Sequence, residues 1–133
     1  MTPISKDESG VKVMKDLLLC ESEFRMMDVI WDSAPVESGK LVKLCEERLS
    51  WKKSTTYTML RKLCERGLVK NDNSMVTVLV PREEVQEFES EHLVKKSFGG
   101  SLPAFVSAFL GNGRLSKEEA EQLIELIGSH TEE

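Results

Sequence analysis

With 133 residues, 40% of them apolar, the chain suits one compact domain or two small ones and can bury a core. Its net charge of −5 argues against indiscriminate nucleic-acid binding, and no run approaches the ~18 apolar residues of a membrane span. The opening MTPISKDESG lacks the basic-then-apolar order of a secretory signal, so a cytoplasmic protein without membrane insertion is expected.

Residues 1–10 are polar and expected to fray, and 11–19 are apolar enough to pack but too irregular to assign. Residues 1–19 are therefore left as an N-terminal extension of unassigned role. A first helix is predicted over 21–32, with Phe24, Met27, Ile30 and Trp31 on one inward stripe and Ser33-Ala34-Pro35 as its stop. Trp31 reads as a core anchor. A second helix over 38–49 buries Leu41, Val42, Leu44, Cys45 and Leu49 and turns Lys40, Lys43 and Glu47 outward.

A third helix over 52–66 packs Thr56, Met59, Leu60 and Leu63 inward and is closed by Gly67 as a left-handed cap. Its other face carries Ser54, Thr58, Arg61 and Lys62, with Lys52 and Lys53 at its start. From Lys52 to Lys70 six basic residues stand against one acidic residue, a local +5 in an acidic chain. Short hydroxyl side chains can approach base edges while flanking cations meet phosphates, as in a DNA-recognition helix. An ordinary amphipathic helix with a solvated basic face presents the same residues.

After Gly67 the pattern becomes extended. Leu68-Val69-Lys70, a turn at Asn71-Asp72-Asn73-Ser74 and a β-branched return strand over 75–80 form a hairpin stopped by Pro81. Three helices followed by a hairpin is the order of a winged helix, whose third helix enters the major groove. The wing tip is uncharged or acidic, so it should add little affinity.

A charged helix over 82–98 has Val85, Phe88, Leu93, Val94 and Phe98 to bury, and Gly99-Gly100 breaks it. Residues 101–110, SLPAFVSAFL, are the most apolar stretch. Ser116 to Glu119 is a capping box before Ala120, Leu123, Ile124 and Ile127, with Gly128 as the stop. Three short helices of this kind cannot close a core of ~50 residues. A second copy of the chain is the natural cover, through Phe98, Leu102, Phe105, Val106, Phe109, Leu110, Leu123 and Ile127, and a symmetric dimer also pairs two recognition helices. The fold class is thus mainly α with a small β-hairpin: an N-terminal winged helix-turn-helix over 1–81 and a C-terminal helical dimerisation domain over 82–133.

The charge divides along the same line. Residues 1–80 carry 13 basic and 12 acidic groups, net +1, whereas 81–133 carry 5 and 11, net −6. Cys20, Cys45 and Cys64 lack paired metal spacing and read as small core hydrophobes, and His92 and His130 have no cluster of ligands beside them. No metal or cofactor is expected. An enzyme is not expected either, because no nucleophile, base and orienter set and no glycine-rich phosphate loop is present.

Residues 20–128 resemble the BlaI/MecI/CopY group of bacterial repressors, the penicillinase repressor family. The carriers are Glu23-Phe24 with Met27, Ile30, Trp31 and Asp32; then Trp51, Thr55, Thr58, Leu60, Lys62, Leu63 and Gly67; and Gly99-Gly100-Ser101-Leu102 with Phe105. The resemblance implies a dimer that binds a palindromic operator and represses resistance genes, with a membrane β-lactam sensor commonly setting off proteolysis. Thr55 and Thr58 stand where the family reads bases, and Lys53 and Lys62 are phosphate contacts by position and charge. Tyr57 is at a variable site, where it reaches a phosphate or a thymine methyl or else packs beside the second helix. Lys52, Ser54 and Arg61 complete the expected DNA-binding set.

The chain departs from the family in four places. Lys52-Lys53 replaces a common Ser-Pro pair, Cys20 replaces a capping Ser, and Ser101-Leu102 stands where inducible members have an Asn-Phe cleavage bond. The paired Cys-x-Cys motifs of the copper-responsive branch are missing, as no cysteine follows Cys64. The expected function is a homodimeric repressor of β-lactam or other resistance or stress genes. Its partners are a double-stranded DNA operator, a second copy and a membrane sensor protease whose candidate bond is Ser101-Leu102. The other reading is a winged-helix protein-protein adaptor that meets an acidic partner without sequence-specific DNA binding.

Overall fold

Glu23 caps the start of the first helix, α1 (Glu21–Ser33): the Cys20 N–H donates to Glu23 Oε1 at 2.9 Å, and the first intrahelical bond runs from Phe24 N–H to the Cys20 carbonyl. The structure, a computed structural model, describes residues 4–6, 12–14, 16–111 and 113–131. Met26, Met27, Val29 and Ile30 are fully buried, while Phe24 and Trp31, expected on the inward stripe with Met27 and Ile30, sit half-buried against the core. The inward face is broader than a single stripe because α1 touches α2 (Ser38–Leu49), α3 (Lys53–Glu65) and a strand, β5 (Met75–Val78). Cys20 is exposed, so of the three cysteines only Cys45 is a fully buried core group.

The expected hairpin is part of a three-stranded antiparallel sheet ordered β3–β5–β4, with β3 at Val36–Glu37 and β4 at Val69–Asp72. Val36 pairs with Val76 on one side of β5, and Val69 pairs with Val78 on the other. A two-residue strand is too short for alternation to announce it. The β4–β5 turn is also tighter than expected: Asp72 pairs with Met75, leaving only Asn73 and Ser74, whose φ values are 51° and 66°. Two successive positive φ angles match the twist of the flanking strands, which lets β4 run on into residues that sequence assigns to the turn. Three helices and this sheet make a winged helix-turn-helix. In the N-terminal extension, β1 (Ile4–Lys6) pairs antiparallel with β2 (Lys12–Met14), where fraying over 1–10 was expected. Residues 1–3, 7–11 and 15 lie outside the described residues.

Trp31 anchors the far side. Its indole N–H donates to Val80 O at 3.0 Å, Phe24 meets it edge-on at 5.6 Å, and the Arg82 guanidinium lies 5.2 Å over its ring. Arg82 also bonds Asp28 at 2.8 Å and Asp32 at 2.9 Å, and Arg48 reaches Asp32 at 3.1 Å. The next helix, α4 (Arg82–Phe98), buries Val85 completely and packs Phe88 on the same core. The first compact unit accordingly runs to His92, past Pro81. The second unit, 93–133, holds the end of α4, α5 (Leu102–Leu110) and α6 (Lys117–Ser129). Ser116 caps α6 by accepting from Glu119 N–H at 3.1 Å. Gly128, expected as the stop, lies inside α6, whose last turn is held by Ser129 and Thr131 hydroxyls on the carbonyls of Leu126 and Ile127.

Arg66, which ends α3, turns inward rather than joining the basic face. Its guanidinium bonds Glu23 Oε1 at 2.9 Å, Asp16 O at 2.8 Å and Leu18 O at 3.2 Å. Burial opposes ionisation of Glu23, but the Cys20 N–H and the Arg66 guanidinium outweigh it and hold the carboxyl below its ordinary value. The pair's contribution is therefore complete at neutral pH and is lost as pH falls through the depressed native pKa of Glu23. Arg66→Ala should cost about 1–3 kcal/mol at pH 7, and progressively less below about pH 4, where a protonated Glu23 needs no cation. Urea denaturation at both pH values checks this. An equal loss at the two would show that Glu23 is not the group Arg66 stabilises.

Candidate nucleic-acid interface

The local sequence of α3 fixes which side faces out. Thr56, Leu60 and Leu63 are at most 3% exposed and fill the core side. The Thr56 hydroxyl donates back to Lys52 O at 3.2 Å, which satisfies it inside the core. The helix closes with a Schellman geometry: Leu68 N–H donates to Leu63 O and Gly67 N–H to Cys64 O, both at 3.0 Å, with Gly67 at φ 75°. That cap turns the chain directly into β4.

Ser54, Thr55, Thr58, Arg61 and Lys62 are all exposed and border one open concavity of about 430 Å³ along α3, together with Met59 and Glu65. Lys52 and Lys53 are exposed at the N-terminal end. Tyr57 is 36% exposed on the adjoining side, with Lys53 Nζ 6.0 Å from its ring centroid. Seven of the eight expected DNA-binding residues thus lie on α3, the eighth, Lys52, is its N-cap, and all eight reach solvent. Met59 was expected inside; it is half-buried and lines the outer concavity instead. In the Thr56, Met59, Leu60, Leu63 ladder, Met59 and Leu60 are the two edge positions, about 50° to either side of the centre, so periodicity alone does not say which of them turns outward.

The start of α3 is electropositive. Lys52, the N-cap, makes no side-chain cap, and the first turn holds no acidic residue, whereas α1 and α6 begin with acids. Unsatisfied N–H groups and the positive end of the helix dipole lie beside two lysines, an arrangement that repels cations and suits phosphate oxygens. The wing contributes little charge: Lys70 reaches Asp72 at 3.9 Å, and both are exposed. Under the start of the wing, burial pushes the Cys64 thiol up despite a hydrogen bond from Asn71 N–H, and burial raises Cys45 as well. Both thiols are packing groups rather than ready thiolates.

The second unit carries a different surface. No described residue of 93–131 is buried. Leu102 is 59% exposed, Phe109 64%, Ile124 70% and Ile127 63%, with Val106, Leu110, Leu123 and Leu126 also open. Phe98 and Phe105 meet edge-on at 5.4 Å and Phe105 leans on Phe109 at 6.2 Å, lining an apolar cleft of about 530 Å³ with Ala108 and Gly111. Ser101, expected at the cleavage bond, is the α5 N-cap and accepts from Ala104 N–H at 3.1 Å; Ser101 and Leu102 are both exposed. Among the described residues no helix is long and apolar enough to cross a membrane, and no group of three or more His, Cys, Asp or Glu is placed to hold a metal ion.

The sequence profile of the penicillinase repressor family matches residues 19–129. The penicillinase repressor of Bacillus licheniformis is 24% identical over 116 residues, covering 84% of this chain and 91% of its own. The methicillin resistance regulatory protein MecI of Staphylococcus aureus (strain N315) is 21% identical over 113 residues, covering 82% and 92%. An uncharacterised 16.5 kDa protein of Latilactobacillus sakei is 26% identical over 110 residues, covering 80% and 75%.

The electrostatics at the α3 N-terminus give a test that needs no knowledge of the target sequence. Lys53→Ala should weaken binding to every duplex about equally and lower the slope of log K against log salt by roughly 1 for each phosphate no longer neutralised per protomer. A salt titration of variant and parent measures it. Loss of sequence-selective binding at constant slope would exclude Lys53 as a phosphate ligand.

Proposed function

The chain belongs to the penicillinase repressor family, and we propose that it is a homodimeric transcriptional repressor that binds a palindromic operator through the 52–66 helix. The observation that carries this reading is the outer face of α3, where hydroxyls, lysines and an arginine share one exposed surface on a winged helix. Thr55 and Thr58 read base edges, and Lys52, Lys53, Arg61 and Lys62 hold phosphates, with Ser54 and Tyr57 at the margin. The domain that binds DNA is the winged helix, and the helical remainder dimerises.

The relatives named as penicillinase and methicillin resistance regulators support resistance genes as the targets, β-lactam resistance among them. Release by a membrane sensor protease acting near Ser101-Leu102 is supported by the link between α4 and α5. Gly99 and Gly100, with φ 58° and 84°, are exposed there, with open space where a side chain would stand on either.

Sequence-selective readout is tested by selecting duplexes from a randomised library and measuring each single-base variant. Thr55→Ala or Thr58→Ala should relax preference at one position per half-site, by ~1–3 kcal/mol for each base hydrogen bond removed. Unchanged profiles in both variants, or no selected duplex at all, favour the adaptor reading. Dimerisation is tested by Phe109→Asp, which places a charge on an apolar, 64% exposed position and leaves the first unit intact. Sedimentation equilibrium should show a monomer, and operator affinity should drop by ~10² or more once the second half-site is no longer held by the same molecule. A dimer of parental affinity would assign the second unit another role.

A further inference from the structure

We propose that Met59 is a specificity-determining residue of the α3 face, reading the methyl group of one thymine in each half-site; this rests on the DNA-binding reading above. Met59 is only half committed to the core. Thr56, Leu60 and Leu63 already fill the core side of α3, each at most 3% exposed. Met59 packs only partly against that core and turns part of its length to the outer concavity of about 430 Å³. There it stands one turn from Thr55 and Lys62 and beside Thr58, an apolar side chain among hydroxyls and charges.

A surface that meets only phosphates and hydrogen-bonding base edges has no use for a thioether. Of the groups presented in the major groove, the C5-methyl of thymine is the apolar one. Methionine suits that methyl, since its unbranched, polarizable chain adapts to a group whose depth varies with local groove geometry. The side chain also shares its face with Thr55 and Thr58, so the thymine it touches lies next to the bases those hydroxyls read.

The test uses the full chain and a duplex it selects from a randomised library. Each thymine is replaced in turn by deoxyuridine, which removes the methyl and keeps every hydrogen-bonding group. Fluorescence anisotropy should show one thymine per half-site at which the wild type loses about fourfold in affinity, the factor for one methyl returned to water. Met59→Gln, similar in length but polar, should bind the thymine and deoxyuridine duplexes alike while keeping its other base preferences. In parallel, wild-type protein labelled with 13C at the methionine methyls should show an NOE from Met59 to that thymine methyl, a readout independent of how the variant folds. Absence of any methyl penalty in the wild type, or the same penalty in Met59→Gln, overturns the assignment while leaving the repressor reading standing. Failure to select any duplex overturns both.

Discussion

A carboxylate withdrawn from water has to be given a cation, and in the first unit that requirement is met by one arginine reaching across the chain. Arg66 spans from the end of α3 to Glu23 in α1 and to the carbonyls of Asp16 and Leu18. Glu23 is 5% exposed, and removing either partner leaves a buried charge or stranded donors. The consequence is a fixed C-terminal end for α3. Its inner face is then set by Thr56, Leu60 and Leu63, and the residues between them are held outward. The same commitment removes one positive charge from the outer face, so that face is less basic than a count along the chain suggests.

A second knot holds the wing and the start of α4. Trp31 has a large apolar body and one polar N–H, and both are satisfied at once: the ring by Phe24 and Arg82, the N–H by Val80 O. Arg82 and Arg48 share Asp32, and their hydrogen bonds hold its carboxyl below the usual range. Because Arg82 is tied to α1, and Val85 is fully buried three residues later, the first turns of α4 belong to the winged-helix unit.

The two units obey opposite burial rules. Every buried apolar side chain among the described residues lies between Leu17 and Val85, whereas the aromatic and aliphatic residues of α5 and α6 stand largely open. About forty residues in short helices have too much surface for their volume to hide so many apolar groups. The apolar content of the second unit is consequently spent on a surface. So many exposed apolar groups mark an interaction surface, and homodimerisation is the use we propose for it.

What the sequence determined by itself is local. The three helices of the winged unit, their inward residues Leu41, Cys45, Leu60 and Leu63, the cap at Gly67 and the Ser116 capping box follow from spacings of three or four residues. So do the hydroxyl and basic positions of α3, which reach solvent where periodicity puts them. The tertiary structure decided what depends on distant partners. Arg66 turns from the basic face because Glu23 lies 43 residues away, and β3 becomes a strand because β5 is there to pair with it. Cys20 stays in solvent because its place is to cap α1, and Met59 lines the outer concavity because Leu60 and Leu63 have already filled the core. Periodicity and capping act over a single helical turn; an ion pair or a strand pairing is settled only when the chain has closed a loop of about forty residues.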